Sequence, residues 1–236
     1  MGFSELGAGS GRGQQSPASL RARLLLGAQV ALLRHGLDAA DIADITTAAG
    51  LPTTTFHRCF ASKDSLVEAL VAEVVAGNGV AVEQAVGRHE DPAAAVAAFV
   101  RQTVRLTERD PLLARLAGRT QVAEALADDL GRRVLRSLSR GVWVGRFPVP
   151  SAQVHLCALR GAVLEVLRGR LLGLLPAAAA DELAAAVLQM LGLPVEEASA
   201  IATRPLPEIE PPRPQPTARS DPGGPRASLI SLNDRR

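Results

Sequence analysis

Residues 41–66 read DIADITTAAGLPTTTFHRCFASKDSL, and this stretch decides the fold. Asp41 is a residue type that caps helices, and it stands just before Ile42 and Ile45, which share one face of a short helix. Gly50 can take the positive φ that a tight turn between two helices needs. The stretch therefore predicts two short helices joined by a tight turn.

The second of these helices has two different sides. Phe56 and Phe60 lie four residues apart, so they share the side that packs inward. The run Thr53-Thr54-Thr55 is a poor helix former because β-branched side chains are restricted in a helix. A conflict between local propensity and helical pattern often marks a functional segment. Threonine hydroxyls can donate to phosphates and bases, and threonine methyls can contact thymine.

These residue types predict a DNA-contacting surface on this helix and around it. Ser62 and Lys63 open the following helix, where free backbone amides and one ammonium group favour a phosphate. The alternative is that the polar side is only the solvated face of a core helix. The predicted DNA contacts are Thr47, Thr53, Thr54, Thr55, His57, Arg58 and Lys63.

Helical periodicity continues outside this stretch. Apolar residues recur at spacings of three and four from Leu24 to Leu32, and Gly36 follows as a terminator. Asp91 and Pro92 place a capping residue before a proline that suits the first helical position. Sustained alternation of apolar and polar residues, typical of strands, is absent from the sequence. The sequence predicts an all-α fold, with a three-helix head followed by a larger helical domain.

Composition divides the chain into four parts. Residues 1–18 include a stretch rich in glycine and serine, which predicts a disordered arm. Residues 204–236 contain eight prolines, which predicts a disordered tail rich in Pro and Arg. Between them we expect a helix-turn-helix domain at residues 19–66, here called the head, and a larger helical domain at residues 67–203.

Charge and cysteine content exclude several classes of protein. The 26 basic and 24 acidic residues leave a net charge of +2, so bulk charge does not hold this chain on nucleic acid. Cys59 and Cys157 are too few for a disulfide scaffold or a four-cysteine zinc site. We expect both in the core, with a redox role for Cys59 as the alternative. His57 and Cys59 do not share a helix face and would need two more ligands, so we predict no metal site. We also predict no other cofactor.

The sequence also bears on location. No consecutive apolar run reaches the ~20 residues that a membrane span needs, and no export signal is visible. We therefore expect a cytoplasmic protein without a membrane partner.

Residues 20–70 resemble the tetracycline-repressor (TetR) family of transcriptional regulators. The Phe-x-x-x-Phe-x-Ser-Lys run placed after the glycine turn makes the resemblance specific, although it covers less than a quarter of the chain. The matching residues are Leu24-Leu25…Ala28…Ala31-Leu32…Gly36, Ile42…Ile45…Ala49-Gly50-Leu51 and Thr55-Phe56-His57…Phe60…Ser62-Lys63-Asp64…Leu66.

The resemblance implies that residues 52–60 form a recognition helix in the major groove of double-stranded DNA. It implies phosphate contacts from His57 and Lys63, with Arg21 or Arg23 bracing the DNA backbone. It also implies a bacterial homodimer on a near-palindromic operator, associated with the nucleoid when bound.

Three positions depart from the family pattern. His57 stands where the family usually has Tyr, and Cys59 stands where it often has His. Asp41 occupies a position where a threonine commonly meets a phosphate, and a carboxylate there would repel the DNA backbone.

The resemblance further implies that residues 67–203 bind a small effector among the middle helices and dimerise through the last two long ones. Small residues would allow close approach of paired helices, and the interface candidates are Val154, Ala158, Gly161, Ala162, Glu165 and Leu188. An apolar pocket would suit a hydrophobic effector, with ordinary core packing as the alternative. The pocket candidates are Phe99, Thr103, Leu106, Leu116, Arg119, Leu126, Trp143, Phe147 and His155.

The leading hypothesis is a dimeric repressor released from its operator by a small hydrophobic effector, and not an enzyme. One alternative is a helical lipid carrier or enzyme domain with an incidental helix-turn-helix. Against it, the sequence shows no Gly-rich phosphate loop and no metal-ligand spacing on a helix. The other alternative is a constitutive repressor without an effector.

Overall fold

The computed structural model describes residues 16–87, 89–116 and 120–209. In these ranges the chain forms helices and no strands, which confirms the all-α prediction. The helices are α1 (Pro17–His35), α2 (Ile42–Ala49), α3 (Thr53–Cys59), α4 (Lys63–Val86), α5 (Pro92–Arg109), α6 (Pro111–Arg115), α7 (Thr120–Trp143), α8 (Ala152–Leu171), α9 (Ala179–Met190) and α10 (Val195–Ala202).

The head is built on a close crossing of α1 and α2. Gly27 lies at the crossing, where a Cβ would stand 2.5 Å from the carbonyl oxygen of Ile45. Any larger residue would push the two helices apart. Leu24, Ile45 and Phe56 are fully buried in the core of the head.

α4 connects the head with the second domain. Its start is fixed by Ser62 and Ser65, each of which accepts a hydrogen bond from the backbone amide of the other. By length and composition alone, α4 is the one helix in the described ranges that could cross a membrane. Half of that stretch is buried within the fold. Its apolar residues are not consecutive, so a search for an unbroken apolar run does not detect it.

α5 is the central helix of the second domain and packs against α4, α7, α8, α9 and α10. Asp91 caps its first turn, as the sequence predicts. α7 and α8 form an antiparallel pair: Asp128 pairs with Arg160, and Glu124, one turn earlier on α7, pairs with Arg168, two turns later on α8.

A partly buried ion cluster joins α4 to α7. Arg133 binds Glu83 at 2.6 Å and Asp129 at 2.7 Å. Gly79 provides the space, because a Cβ there would stand 2.1 Å from a carboxylate oxygen of Asp129. Burial alone would lower the pKa of Arg133, but the hydrogen bonds and charges of the two carboxylates hold it above its ordinary value. The cluster fixes α4, which carries the head, to the second domain.

The ends of the chain lie mostly outside the described residues. The structure begins at Ser16, which caps α1, and Pro17 is already helical. Residues 204–209 follow α10 and are described, whereas residues 1–15 and 210–236 are not. The domain boundaries and the disorder of the arm and tail stay predictions.

Candidate DNA interface and effector domain

The turn between α2 and α3 has the geometry that the sequence predicts. Asp41 accepts a hydrogen bond from the Asp44 amide at 2.8 Å, and Asp44 accepts one from the Asp41 amide at 3.0 Å. Gly50 follows α2 with a φ of 62°, in the left-handed region, and its N–H donates to the carbonyl oxygens of Thr46 and Thr47. Both ends of α2 are therefore fixed before α3 begins.

Arg23 of α1 binds the last carbonyl groups of α2. Its guanidinium donates to the Ala49 oxygen at 2.8 Å and to the Gly50 oxygen at 2.9 Å. The family resemblance implied that Arg21 or Arg23 braces the DNA backbone, but Arg23 braces the protein's own turn. The Arg21 guanidinium lies over the Phe60 ring, 4.9 Å from its centroid.

α3 buries one side and exposes the other. Phe56 and Phe60 are buried, as their spacing predicts. Thr55 is only 8% exposed, so this member of the threonine run faces the protein. The side chains exposed together are Thr53, Thr54, His57 and Arg58.

A pair of hydroxyl groups joins α2 to α3. The buried Thr46 hydroxyl donates to the Ile42 carbonyl oxygen at 2.9 Å and lies 3.4 Å from the Thr53 hydroxyl. This contact ties the first turn of α3 to the helix before it. The tertiary contacts of the head therefore outweigh the poor helix propensity of the threonine run.

Lys63 and Thr47 flank α3 in different ways. Lys63 is half-buried, and its ammonium donates to the Leu37 carbonyl oxygen at 2.5 Å, tying the start of α4 to the loop after α1. Thr47 is exposed on α2 and lines an open groove of about 360 Å³ with Val30 and Arg34. The predicted contacts outside α3 therefore lie on α2 and at the start of α4, and the lysine is already bonded to the protein.

The pocket candidates separate into a buried set and scattered residues. Trp143 is 86% exposed at the end of α7, and His155 is half-buried with Nδ1 2.8 Å from the Ser151 carbonyl oxygen. Arg119 lies outside the described residues. The remaining candidates are buried in the core of the second domain: Phe99, Thr103, Leu106, Leu116, Leu126 and Phe147.

One of the buried candidates packs closely against a glycine of α7. The Phe147 ring lies against Gly141, where a Cβ would meet ring carbons at 2.1 Å. Two open grooves on the described residues, one between α7 and α8 and one between α1 and α2, are not lined by the buried candidates.

The interface candidates share an exposed face of α8, with two exceptions. Val154, Ala158, Gly161 and Glu165 are exposed there. A Cβ at Gly161 would meet nothing within 4 Å, so the face is open in the single chain. Ala162 is half-buried, and Leu188 is fully buried on α9 and does not lie on this face.

The prediction for Cys157 is wrong. We expected both cysteines in the core, but Cys157 is exposed on α8, and Cys59 is partly buried on α3. Cys157 lies one turn from Val154 and Gly161, so it belongs to the open side of α8. Its many apolar neighbours in the sequence led to the expectation that it is buried. It lines a groove of about 440 Å³ between α7 and α8.

Two family models match the chain. Residues 24–70 match the model for "Bacterial regulatory proteins, tetR family", and residues 91–204 match "Tetracyclin repressor-like, C-terminal domain". The chain belongs to the TetR family of transcriptional regulators, and its head is a DNA-binding helix-turn-helix. Members of this family are soluble cytoplasmic proteins that generally bind DNA and do not catalyse reactions. No curated protein matches the chain.

Solved structures give the same result. RolR in complex with resorcinol is 29% identical, with a TM-score of 0.71 over 82% of this chain and 98% of that one. RolR without ligand is also 29% identical, with a TM-score of 0.69 over 80% of this chain and 100% of that one. FadR from Bacillus subtilis with stearoyl-CoA shares the fold alone, at 15% identity and a TM-score of 0.54 over 72% and 96% of the two chains.

Proposed function

We propose that this chain is a dimeric repressor that binds a near-palindromic operator through α3 and leaves it when a small hydrophobic effector binds the second domain. It would act in the bacterial cytoplasm, on the nucleoid. The observation that carries the proposal is the exposed polar side of α3, held rigidly by the turn before it. A helix of seven residues that is anchored by buried Phe56 on its other side and by buried Phe60 directly after it can be presented to a major groove.

Within the proposed DNA interface, the side chains of α3 would contact different parts of the DNA. Thr53 and Thr54 stand at the start of α3 and would contact base edges. His57 and Arg58 lie at its end, where imidazole and guanidinium donors would bind phosphates. Thr55 would act through packing, because it is buried.

Thr47 and Lys63 would contact the DNA backbone on either side of the major groove. Lys63 has three donors and uses one on the Leu37 oxygen, so two remain for a phosphate. Phosphate contacts of this kind would fix the register of α3 on the duplex without reading sequence.

The dimer would form along the open face of α8. Val154, Ala158, Gly161 and Glu165 follow one another at spacings of four, three and four, which places them on one stripe of the helix. The small residues in the middle of the stripe would let two copies of α8 approach closely. Half-buried Ala162 would line the edge of the interface.

The effector proposal rests on RolR, which was solved with resorcinol bound. By that likeness, the effector of this chain would be a small, largely apolar compound, and its site would lie among Phe99, Leu106, Leu126 and their neighbours. These side chains are buried, so an effector bound among them would be enclosed by the protein. If these residues form only ordinary core packing, the chain would instead be a constitutive repressor whose second domain only dimerises, which is the second candidate function.

Ligand competition distinguishes the two candidates. The full chain is bound to a labelled operator obtained by random-site selection and then titrated with resorcinol and a panel of small phenols and aromatic acids. Release of the DNA by one of these compounds supports an effector-controlled repressor. Binding that persists through the whole panel, with no thermal shift of the protein, supports the constitutive repressor.

A further inference from the structure

The segment Arg204–Ile209, here called the strap, follows α10 and crosses α5. Leu206 and Ile209 are partly buried and pack against the hydrophobic core. Pro205 and Pro207 have no backbone N–H, so this segment cannot continue the helix before it. It is an extended piece of chain laid on the central helix of the second domain.

Two buried polar side chains of α5 bind the backbone of the strap. Arg101 is 4% exposed, and its Nη1 donates to the Arg204 carbonyl oxygen at 2.6 Å. Gln102 is fully buried, and its Nε2 donates to the Pro207 carbonyl oxygen at 2.8 Å. The Gln102 oxygen accepts from Arg109 at 2.5 Å. Buried polar groups need such partners, so α5 is chemically matched to the strap.

The same side of α5 also holds α9. Arg101 and Arg105 both bind Asp181 in the first turn of α9, at 2.7 Å and 2.8 Å. Because Arg101 is shared, loss of the strap would change the hydrogen bonding of an arginine that fixes α5 against α9. The position of α5 therefore depends in part on the strap.

α5 is in turn connected to the head. Asp110, at the end of α5, accepts a hydrogen bond from Asn78 of α4 at 3.0 Å. Its other oxygen accepts from the Leu112 amide at 2.9 Å and so fixes the start of α6, which packs against α1. A shift of α5 would reach the head through α4 and through α6.

We propose that the strap is a built-in latch that holds α5, and through it α4, in the conformer that binds the operator. This inference rests on the proposed function, since the effector-free repressor is the DNA-bound form. An extended segment held by two side-chain hydrogen bonds and two apolar side chains opens at lower free energy than the helical core. Release of the strap would lower the fraction of molecules whose head is in the position that binds the operator.

The test uses the full chain with Leu206→Ser and Ile209→Ser together, and a second variant, Gln102→Leu, which removes the bonds of Gln102 to Pro207 and Arg109 but keeps the core filled. Leu174→Ser is the matched control, because Leu174 is 74% exposed. Hydrogen exchange is followed in the strap, α5 and α4, and operator affinity is measured by fluorescence anisotropy.

Both latch variants are expected to accelerate exchange in α4 as well as in the strap and to weaken operator binding by about fivefold or more. The control should match the unmodified chain. Exchange that rises only in the strap and α5, or an operator affinity that does not change, overturns the latch. If the unmodified chain binds no DNA, the proposed function fails, and exchange in α4 still decides whether the strap acts on the head.

Discussion

Arg23 and Gly50 are joined across the helix-turn-helix: the guanidinium on α1 donates to the Gly50 carbonyl oxygen at 2.9 Å and to that of Ala49 at 2.8 Å. The end of a helix leaves carbonyl groups without partners inside the helix, and α2 meets this need with a side chain from another helix. The orientation of α3 relative to α1 therefore depends on this arginine.

Replacing Arg23 with Ala should destabilise the fold by about 1–3 kcal/mol, because two carbonyl groups lose a charged donor. Urea unfolding followed by circular dichroism measures the change. Arg34→Ala is the control on the same helix, since Arg34 is exposed. If both variants unfold at the same urea concentration as the unmodified chain, Arg23 does not support the turn.

Thr54→Ala should weaken operator binding by about 1–3 kcal/mol without changing stability, because Thr54 is exposed on α3. Thr55→Ala should act differently and lower the urea midpoint, because Thr55 is buried. Anisotropy titrations and urea unfolding of both variants separate the two effects. Ser199→Ala, at an exposed position of α10, should change neither. An unchanged affinity in Thr54→Ala would remove this residue from the interface.

Ala158→Arg should convert the proposed dimer into monomers, because a long cation would stand where two α8 helices meet closely. Light scattering coupled to size-exclusion chromatography gives the mass. Ala200→Arg, at an exposed position of α10, is the control and should stay dimeric. A dimer that survives Ala158→Arg with unchanged affinity would place the interface elsewhere.

Asp91 makes the stability of the fold depend on pH in the acidic range. Burial alone would raise its pKa, but hydrogen bonds from Arg146 and from the Ala93 amide outweigh this and hold the pKa below its ordinary value of 3.8. Ionised Asp91 therefore stabilises the fold above that value, and the contribution is lost as the pH falls through the lowered pKa.

Asp91→Asn keeps a capping oxygen but cannot ionise. Its free energy of unfolding should fall less steeply than that of the unmodified chain between about pH 5 and about pH 3. Urea unfolding at a series of pH values gives both slopes, and Glu90→Gln at the exposed neighbouring position serves as control. Parallel slopes for Asp91→Asn and the unmodified chain would show that Asp91 does not contribute.

The head could be predicted from sequence because its signals are local. A cap at Asp41, a glycine at position 50 and two phenylalanines four apart each act within one turn of their own helix. Gly27 is a further local signal, since a glycine in the middle of a helix often marks the close approach of another backbone. The bond from Arg23 to the turn could not be found, because it joins residues 26 positions apart.

The second domain was less predictable for the same reason. Arg101, Gln102 and Arg133 are polar residues on amphipathic helices, and sequence alone assigns such residues to solvent. Their partners lie far along the chain, at Asp181, Pro207 and Glu83. Trp143 was expected in a pocket because large aromatic side chains are usually buried, yet it is exposed at the end of α7. Composition does not distinguish a buried arginine from an exposed one, or an exposed tryptophan from a buried one.

Random-site selection with the purified full-length chain tests the central claim most directly. We expect enrichment of a near-palindromic site whose half-sites are separated by about one or more turns of DNA, roughly 34 Å or a multiple. The double variant Thr53→Ala/Thr54→Ala should enrich this DNA sequence much less than the unmodified chain does. Failure of the unmodified chain to enrich any sequence, or enrichment of a single unrepeated half-site, would contradict a dimeric, sequence-specific repressor.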